Sequence, residues 1–253
     1  MSWASRRRAL YLSILGGVAL IALALVLVPI LYRAPTCTDG AQNGDERGVD
    51  CGGSCARFCA FEVAPPAVSF ARALSVSSGV YNIVAYVVNP NVGASAERVP
   101  YSVRVFDEGN VLIVERKGET FLTANSVNPI FEPSVVSGNR TPFRTFFEFT
   151  GDIHWERSAL PAQLFTVRGL NLSGEESAPR LTAEVDNLSA ERLDDVEVVA
   201  TLFDSHGNAV ATSRTVIETL GKRASTEVFF SWPAPFPRPV SRIDVIPRVR
   251  GGK

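Results

Sequence analysis

Residues 196–211, which read VEVVATLFDSHGNAVA, decide the fold of this chain. Two faces alternate along the first half of this stretch. One face is strongly apolar and consists of Val196, Val198, Ala200 and Leu202. The other face is mixed and consists of Glu197, Val199, Thr201 and Phe203. This period of two predicts a β-strand, and the Gly and Asn within residues 204–208 predict a turn into a second strand. The stretch is therefore predicted to form a β-hairpin.

An earlier part of the chain repeats this pattern. Val103–Asp107 matches Ala200–Asp204, and each Phe-Asp pair is followed shortly by Gly-Asn. The other matches, in the same order, are Pro66–Phe70 with Pro161–Phe165, Ala85–Asn89 with Ala183–Asn187, and the aromatic Phe146–Phe149 with Phe229–Trp232. Internal self-similarity of this kind predicts two copies of one structural module.

The predicted fold class is all-β. Short strands separated by Gly, Asn, Asp and Pro, without a helical period outside the N-terminal stretch, predict two tandem antiparallel β-sandwich domains, residues 65–155 and 161–250. Between its hairpin and its aromatic strand the first copy is longer, and Asn125–Thr141 is predicted to be an inserted loop. The proline-rich Trp232–Pro239 is predicted to lead into a last strand, Ser241–Val249; a polyproline ligand for a partner is the alternative.

Both copies resemble the FxLYD-type domain and, through Asn89-Pro90-Asn91, the related late-embryogenesis-abundant type 2 sandwich. The resemblance covers the strand before Asn187, residues 200–204 with their glycine turn, and residues 217–230. Ala200 stands where the family name requires Phe, and Phe203 stands where it requires Tyr. The resemblance implies an immunoglobulin-like or fibronectin-like shape and a role as an interaction or spacer module.

An apolar stretch near the N-terminus predicts a membrane anchor. Arg6–Arg8 precede the uncharged, mostly apolar Ala9–Tyr32, and Arg33 follows it. A bilayer core of roughly 30 Å needs about 20 helical residues, so residues 9–32 are predicted to cross the lipid bilayer once. The basic flank places residues 1–8 in the cytoplasm and the C-terminal domains outside the cell membrane. A cleaved secretory signal is the alternative, since residues 22–24 have the A-x-A form of a cleavage site.

All four cysteines lie in one segment, residues 35–60, directly after this stretch. They are Cys37, Cys51, Cys55 and Cys59. In an exported protein this clustering predicts two disulfides, with three connectivities left open. A zinc site is the alternative, but the spacing differs from the common C-x2-C pair.

Acidic and amide side chains are interspersed with glycines in the same segment. Asp39, Asn43, Asp45, Glu46 and Asp50 supply the oxygen atoms that calcium requires, so they are candidate calcium ligands. Turn formation by the same residues is the simpler alternative. The string DGxxNGxExGVDCGGxC resembles a cysteine-rich motif of bacterial surface and secreted proteins. That resemblance implies an extracellular, disulfide-linked stalk or spacer without known chemistry.

The sequence carries little that indicates catalysis. Neither His154 nor His206 lies near a cysteine or a nucleophile motif, and the P-loop, zincin and dinucleotide-binding motifs do not occur. Asp107 and Asp204 recur at matching points, and each is predicted to cap the turn that follows it. The chain is therefore predicted not to be an enzyme and to have no small-molecule substrate.

Charge and layout then define the predicted role. Without Arg6–Arg8 the chain has 22 basic and 26 acidic residues, and no basic stripe, so nucleic acid is not expected as a partner. We expect a surface-anchored interaction or structural component that contacts another protein on the extracytoplasmic side. An accessory subunit of an envelope secretion, pilus or transport complex is the alternative. Such a subunit should expose a contiguous apolar patch of on the order of several hundred Å².

Overall fold

A computed structural model describes residues 3–31, 36–158, 160–161 and 163–251. The chain divides into two compact units, residues 1–55 and residues 56–253. Within the described residues the regular structure is one α-helix, one short 3₁₀ helix and thirteen strands. All strand pairs in the sheets are antiparallel. The prediction of an all-β fold after an apolar helix is confirmed.

Helix α1 spans Trp3–Leu31 in the first unit. Its residues Ser5–Leu27 are long and apolar enough to cross a membrane, although a secretory signal meets the same criteria. Most of the described side chains along it are exposed, as Leu25 is at 72%. The predicted span of residues 9–32 ends one residue after the helix, and Tyr32 lies outside the described residues.

In the second unit the 3₁₀ helix Ala60–Glu62 precedes the strands, and the N-terminal half forms two sheets. The strands are β1 Ala67–Ser77, β2 Val80–Asn89, β3 Ala94–Phe106, β4 Leu112–Leu122, β5 Ser126–Val136, β6 Arg144–Phe149 and β7 Glu156–Arg157. Sheet I has the order β1-β2-β5. Sheet II has the order β4-β3-β6, and the short β7 pairs with the start of β3.

The C-terminal half also forms two sheets. Its strands are β8 Phe165–Ser173, β9 Arg180–Asn187, β10 Leu193–Phe203, β11 Ala209–Leu220, β12 Ser225–Ser231 and β13 Arg242–Arg248. Sheet III has the order β12-β9-β8, and sheet IV has the order β11-β10-β13. The predicted hairpin is confirmed as β10, the turn at residues 204–208, and β11. The predicted last strand is confirmed as β13.

Each half encloses a hydrophobic core between its two sheets. In the N-terminal half, Ile83 and Val87 of sheet I pack with Val103 and Val105 of sheet II. The C-terminal half is built in the same way: Ala183 and Val185 of sheet III share a core with Val198, Ala200 and Leu202 of sheet IV. The core residues of each strand alternate along the chain and point between the two sheets, as a sandwich requires.

One prediction is wrong for the N-terminal half. Residues 125–141 are not an inserted loop, because Ser126–Val136 forms strand β5 and pairs with β2. Pro129 and Pro133 are tolerated there because β5 is an edge strand of sheet I, so one side needs no backbone donors. Ser134 has φ +51°, and the pairing shifts between Tyr81 and Ile83, which marks an irregularity beside Pro133.

Two of the sequence matches do not correspond in the sheets. Phe146–Phe149 lies in β6, next to β3, whereas Phe229 lies in β12, next to β9. Likewise Phe70 is opposite Tyr86, whereas Phe165 is opposite Asn187. Short aromatic or proline-containing matches carry no information on strand pairing, because register is set by neighbouring strands.

Candidate functional site

The candidate site is the buried contact between the two halves of the second unit. The outer face of sheet I meets the outer face of sheet IV in a third hydrophobic cluster. Sheet I contributes Phe70, Leu74, Val84, Tyr86 and Phe131. Sheet IV contributes Val199, Phe203, Ala209 and Ile246. Strand β10 is therefore buried on both faces, because its mixed face packs against the N-terminal half.

Aromatic rings form the centre of this contact. The ring of Phe203 lies edge-on to the rings of Phe70 and Tyr86, with both centroid distances 6.1 Å. Phe70 and Tyr86 stack on each other at 4.6 Å. The guanidinium of Arg242 lies 4.0 Å from the centroid of Phe203 and closes the cluster from the solvent side. Such aromatic pairs contribute about 0.5–1.5 kcal/mol each beyond the burial of their area.

Tyr86 brings a polar atom into this cluster. Its hydroxyl is buried beside the Thr201 side chain and makes no close hydrogen bond to a described residue. Burial raises the pKa of the Tyr86 phenol well above its usual range. Burial also raises the pKa of the nearby Asp244 carboxyl, which Arg242 partly offsets. The centre of the contact is therefore a buried, mostly apolar environment that disfavours new charge.

A buried arginine joins the two halves at the edge of the aromatic cluster. Arg248 in β13 donates to Glu197 Oε2 at 2.8 and 3.1 Å, and its other terminal nitrogen donates to Thr120 Oγ1 at 3.2 Å and to the Phe121 carbonyl at 3.3 Å. The guanidinium also lies 4.4 Å from the Phe121 ring centroid. Burial lowers the pKa of Arg248, and Glu197 counteracts that effect. Because arginine stays charged, this clamp places a paired charge inside the contact.

Two further hydrogen bonds cross the same contact. Asn82 Nδ2 in sheet I donates to the Thr212 carbonyl in β11 at 3.3 Å. Arg250 donates to the Glu97 carbonyl at 2.7 Å. A mostly apolar cavity of about 200 Å³ lies beside Arg248. Burial raises the pKa of the Glu97 carboxyl at its wall, while the Gly251 N–H lowers it.

The two halves use the same asparagine at the same place. Asn89 ends β2 and donates to the carbonyls of Ala94 and Thr123 at 2.8 and 2.9 Å. Asn187 ends β9 and donates to the carbonyls of Glu191 and Gly221 at 2.7 and 2.9 Å. In both cases the amide oxygen accepts the backbone N–H two residues later. Each buried amide therefore ties the turn after its strand to the end of a neighbouring hairpin.

The predicted turn-capping aspartates are confirmed. Asp107 accepts the Val111 N–H at 2.8 Å and pairs with Arg140. Asp204 accepts the N–H groups of His206 and Asn208 at 2.9 and 2.8 Å, and Arg238 pairs with it at 2.8 Å.

These contacts lower the pKa of both carboxyls. The Val111 N–H, with help from Arg140, lowers the pKa of Asp107, and the Arg238 guanidinium lowers that of Asp204 further. In each half an arginine from the loop before the last strand binds the aspartate after the third strand.

The histidines take structural positions in the described part of the chain. His154 Nδ1 accepts a hydrogen bond from Arg57 at 3.1 Å. His206 lies in the β10–β11 turn, with its ring 3.5 Å from the hydroxyl of the adjacent Ser205. The Trp232–Pro239 segment also packs as structure. Trp232 is 5% exposed, donates to the Thr212 carbonyl at 3.2 Å and contacts the ring of Phe236.

Disulfides hold the cysteine-rich segment, as predicted. All four cysteines are disulfide-bonded, and one bridge joins Cys37 to Cys55. The zinc alternative therefore has no thiolate ligands. Gly53 is required by the fold of this loop, because a Cβ at that position would lie 2.0 Å from the Asp45 carbonyl oxygen.

The calcium candidates are engaged in turn contacts. Asp39 accepts the Ala41 N–H at 2.9 Å, and Asp50 accepts the Gly40 N–H at 3.1 Å. The remaining contacts are Asn43 Nδ2 to Asp39 at 2.9 Å, Asn43 N–H to Glu46 at 3.2 Å, and Ser54 Oγ to Asp45 at 2.8 Å. The Ser54 hydroxyl lowers the pKa of the Asp45 carboxyl. Among the described residues, the three acidic, cysteine or histidine side chains whose ligand atoms come together are Cys37, Glu46 and Cys55, and both sulfurs there are bonded to each other.

Comparisons with known proteins do not identify a family for this chain. No protein family model matches the sequence, and no curated protein matches it. A crystal structure of red sea bream transglutaminase is 11% identical, covers 73% of this chain and 29% of that chain, and has a TM-score of 0.26. The chain therefore spans well under half the length of that enzyme. The N-terminal CBM22-1-CBM22-2 tandem domain of Paenibacillus barcinonensis Xyn10C is 8% identical, covers 74% and 86% of the two chains, and has a TM-score of 0.17. Scores this low carry no argument, so the FxLYD and late-embryogenesis-abundant resemblance stays a prediction.

Proposed function

We propose that this chain is a single-pass, membrane-anchored extracytoplasmic protein whose two β-sandwich modules act as one rigid interaction unit. Helix α1 would hold the chain in the cell membrane, with the N-terminus in the cytoplasm. The partner would be another protein on the extracytoplasmic side. Binding, rather than catalysis or capture of a small molecule, is the proposed activity.

The contact between sheets I and IV carries this proposal. Consecutive domains usually move relative to each other unless their interface is large and hydrophobic. Here Phe203 is 2% exposed and Arg248 is 5% exposed, although both lie on the outer face of a sandwich. Such burial favours one arrangement of the two sandwiches over others. A fixed arrangement suits a protein that must present a surface in a defined direction.

The equivalence of the two halves supports a tandem pair of modules. Both halves pair their first, second and fifth strands in one sheet and their fourth, third and sixth in the other, if β7 is set aside. Asn89 and Asn187 hold the same turn, and Asp107 and Asp204 hold the next one. An immunoglobulin-like module duplicated within the chain accounts for all of these matches.

An exposed apolar patch supports a docking role over that of a simple spacer. Phe143 is 59% exposed and Phe146 is 51% exposed at the end of sheet II. Phe146 packs edge-on against Phe106 at 5.6 Å, and Leu112, 46% exposed, pairs with Phe106 on the other side. A spacer would gain nothing from exposing these apolar side chains to water. An accessory subunit of an envelope complex, which is our second candidate function, would use such a patch to bind its partner.

Cross-linking in native membranes tests the proposal. A photoreactive residue at Phe146 should produce one predominant protein adduct, and the same residue at the polar Arg223 on the β11–β12 turn should not. Protease added to intact cells should remove the sandwiches and leave a fragment that contains α1. Recovery of the whole chain from the soluble exported fraction would contradict anchoring.

A further inference from the structure

The contact inside the chain joins two different faces. The outer face of sheet IV in the C-terminal half packs on the outer face of sheet I in the N-terminal half. By strand order, sheet II is the counterpart of sheet IV, and sheet III is the counterpart of sheet I. Among the described residues of the second unit, the outer faces of sheets II and III have no such partner. A contact between unlike faces can repeat from one molecule to the next.

Both unused faces retain an aromatic residue of the internal contact. Phe106 occupies the place of Phe203, because each ends the third strand of its half and pairs with an arginine, Arg144 or Arg242. Phe229 on sheet III occupies the place of Phe131 on sheet I. Phe229 is opposite Thr182 and Phe131 is opposite Val84. Thr182 lies as many residues before Asn187 as Val84 lies before Asn89. Phe229 is 63% exposed, whereas Phe131 is 9% exposed.

Opposite charges replace a neutral pair at the centre of these faces. In the internal contact the side chain of Thr201 lies beside the Tyr86 hydroxyl. The pairings place Arg104 at the position of Thr201 on sheet II. On sheet III, Glu184 holds the position that Tyr86 holds on sheet I, because Glu184 precedes Asn187 by as many residues as Tyr86 precedes Asn89. A contact built in the same way would therefore bring Arg104 to Glu184.

Two more positions are complementary in the same way. In the internal contact Arg214 of sheet IV lies 5.6 Å from the ring centroid of Phe131 of sheet I. Lys117 holds the position of Arg214 on sheet II, and Phe229 holds the position of Phe131 on sheet III. Lys117 would therefore meet the ring of Phe229, and a cation over an aromatic face is attractive.

The last pair replaces a hydrogen bond. In the internal contact Asn82 donates to the Thr212 carbonyl. Arg180 holds the position of Asn82 on sheet III, and Glu115 holds the position of Thr212 on sheet II. The unused faces thus offer one cation–aromatic pair and two ion pairs with matching geometry.

We propose that the chain binds a second copy of itself head to tail, with sheet II of one copy on sheet III of the next. This inference rests on the proposed tandem modules and names the protein partner of the proposed function. Within each copy Arg104 already pairs with Glu148 at 2.9 Å, and Glu184 pairs with Arg168 at 2.6 Å. The intermolecular pairs would extend these into networks across the contact.

This contact between copies is expected to be weaker than the internal one. Sheet II has no counterpart of the Arg248–Glu197 clamp, because Thr150 and Pro100 stand at those positions. It also has Ser102 and Glu148 where sheet IV has the apolar Val199 and Ile246. A reversible, salt-dependent association follows from these differences.

The test uses the full-length chain in lipid nanodiscs that hold one copy each, so that helices in one bilayer cannot associate. Sedimentation should show discs joined in pairs and longer series as concentration rises. Arg104→Glu and Glu184→Arg should each weaken this association about tenfold. The double variant Arg104→Glu/Glu184→Arg should restore it to within about threefold, because every contact then carries the reversed pair.

Several outcomes would overturn the inference. They are single discs at every concentration, single variants that associate like the parent chain, and a double variant that stays as weak as the singles. Arg192→Glu, a charge reversal away from both faces, serves as the control and should change nothing. Unfolding curves verify that each variant is folded. If Arg104→Glu is not, the other ion pair is reversed instead, with Glu115→Arg, Arg180→Glu and their double variant. Native-membrane cross-linking to a different protein supports the proposed function even if the discs stay single.

Discussion

The ring of Phe203 lies edge-on to the ring of Tyr86, 6.1 Å between centroids, although the two residues belong to different sandwiches. Phe203 is the last residue of β10, and the chain turns back immediately after it at Asp204. The same turn that defines the hairpin thus places an aromatic residue at the contact between the halves. Removing that ring should weaken the contact between the halves while leaving each sandwich able to fold.

Phe203→Ala should lower the free energy of unfolding by about 3–5 kcal/mol, because it opens a cavity in a buried aromatic cluster. Phe106→Ala is the matched control, since Phe106 holds the same position in the other half but is only half-buried; we expect about 1–2 kcal/mol there. Urea unfolding measures both values. The Phe203 variant should also split the transition in two, and a single transition with an equal loss in both variants would contradict the coupling.

Glu197→Gln should destabilise the chain by about 1–3 kcal/mol, because it leaves the Arg248 guanidinium buried without its countercharge. The estimate is below that for a fully buried pair because the Glu197 side chain is 23% exposed. The control is Arg192→Gln, whose ion pair with Asp194 is 66% and 49% exposed; it should leave the midpoint of thermal unfolding unchanged. Equal effects of the two variants in thermal unfolding would show that Arg248 is not a clamp.

Sequence periodicity predicts this contact only in part. The alternation along residues 196–203 identifies Val198 and Leu202 as core residues, and both are fully buried in their own sandwich. It also identifies Val199 and Phe203 as a second, mixed face. Periodicity reports which residues share a face but not what lies opposite, so the packing of that face on Tyr86 was not predictable.

Strand β5 and the Arg248 clamp were missed for different physical reasons. Prolines within residues 126–136 indicate a loop unless the strand is known to lie at a sheet edge, and edge position depends on long-range pairing. Arg248 reads as an exposed terminal arginine because its partners, Glu197 and Thr120, are far away in sequence. The asparagines were predictable from the repeat, since Asn89 and Asn187 align and both end strands.

Asn187→Ala should cost about 1–3 kcal/mol, since it removes a buried amide that donates to the carbonyls of Glu191 and Gly221. Asn89→Ala should cost a similar amount because it removes the same two bonds from the other half. The control is Asn171→Ala, at an exposed position on the edge strand β8, with an expected change below about 0.5 kcal/mol. Denaturant midpoints give the comparison. A neutral Asn187→Ala would mean that water replaces the amide.

Calcium should leave the cysteine-rich segment unchanged, because its carboxylates accept hydrogen bonds from the N–H and O–H groups of the loop. Trypsin cleavage after the exposed Arg47 reports on the stability of this segment in the full-length chain. The cleavage rate should be the same in calcium and in chelator. Slower cleavage in calcium, lost in Asp39→Asn, would instead show that the candidate ligands bind the ion.

Acid unfolding should depend on Asp204, which is 5% exposed and has a depressed pKa because of Arg238 and the N–H of Asn208. A carboxyl whose folded pKa lies below its unfolded value, near 3.9, adds stability that is fully present above that value. The contribution is lost as pH falls through the folded pKa. Asp204→Asn should therefore flatten the fall in the urea midpoint below about pH 5. Arg238→Gln should flatten it in the same direction, because the Asp204 pKa then returns toward its usual value, and a parent-like acid limb in both variants would contradict this assignment.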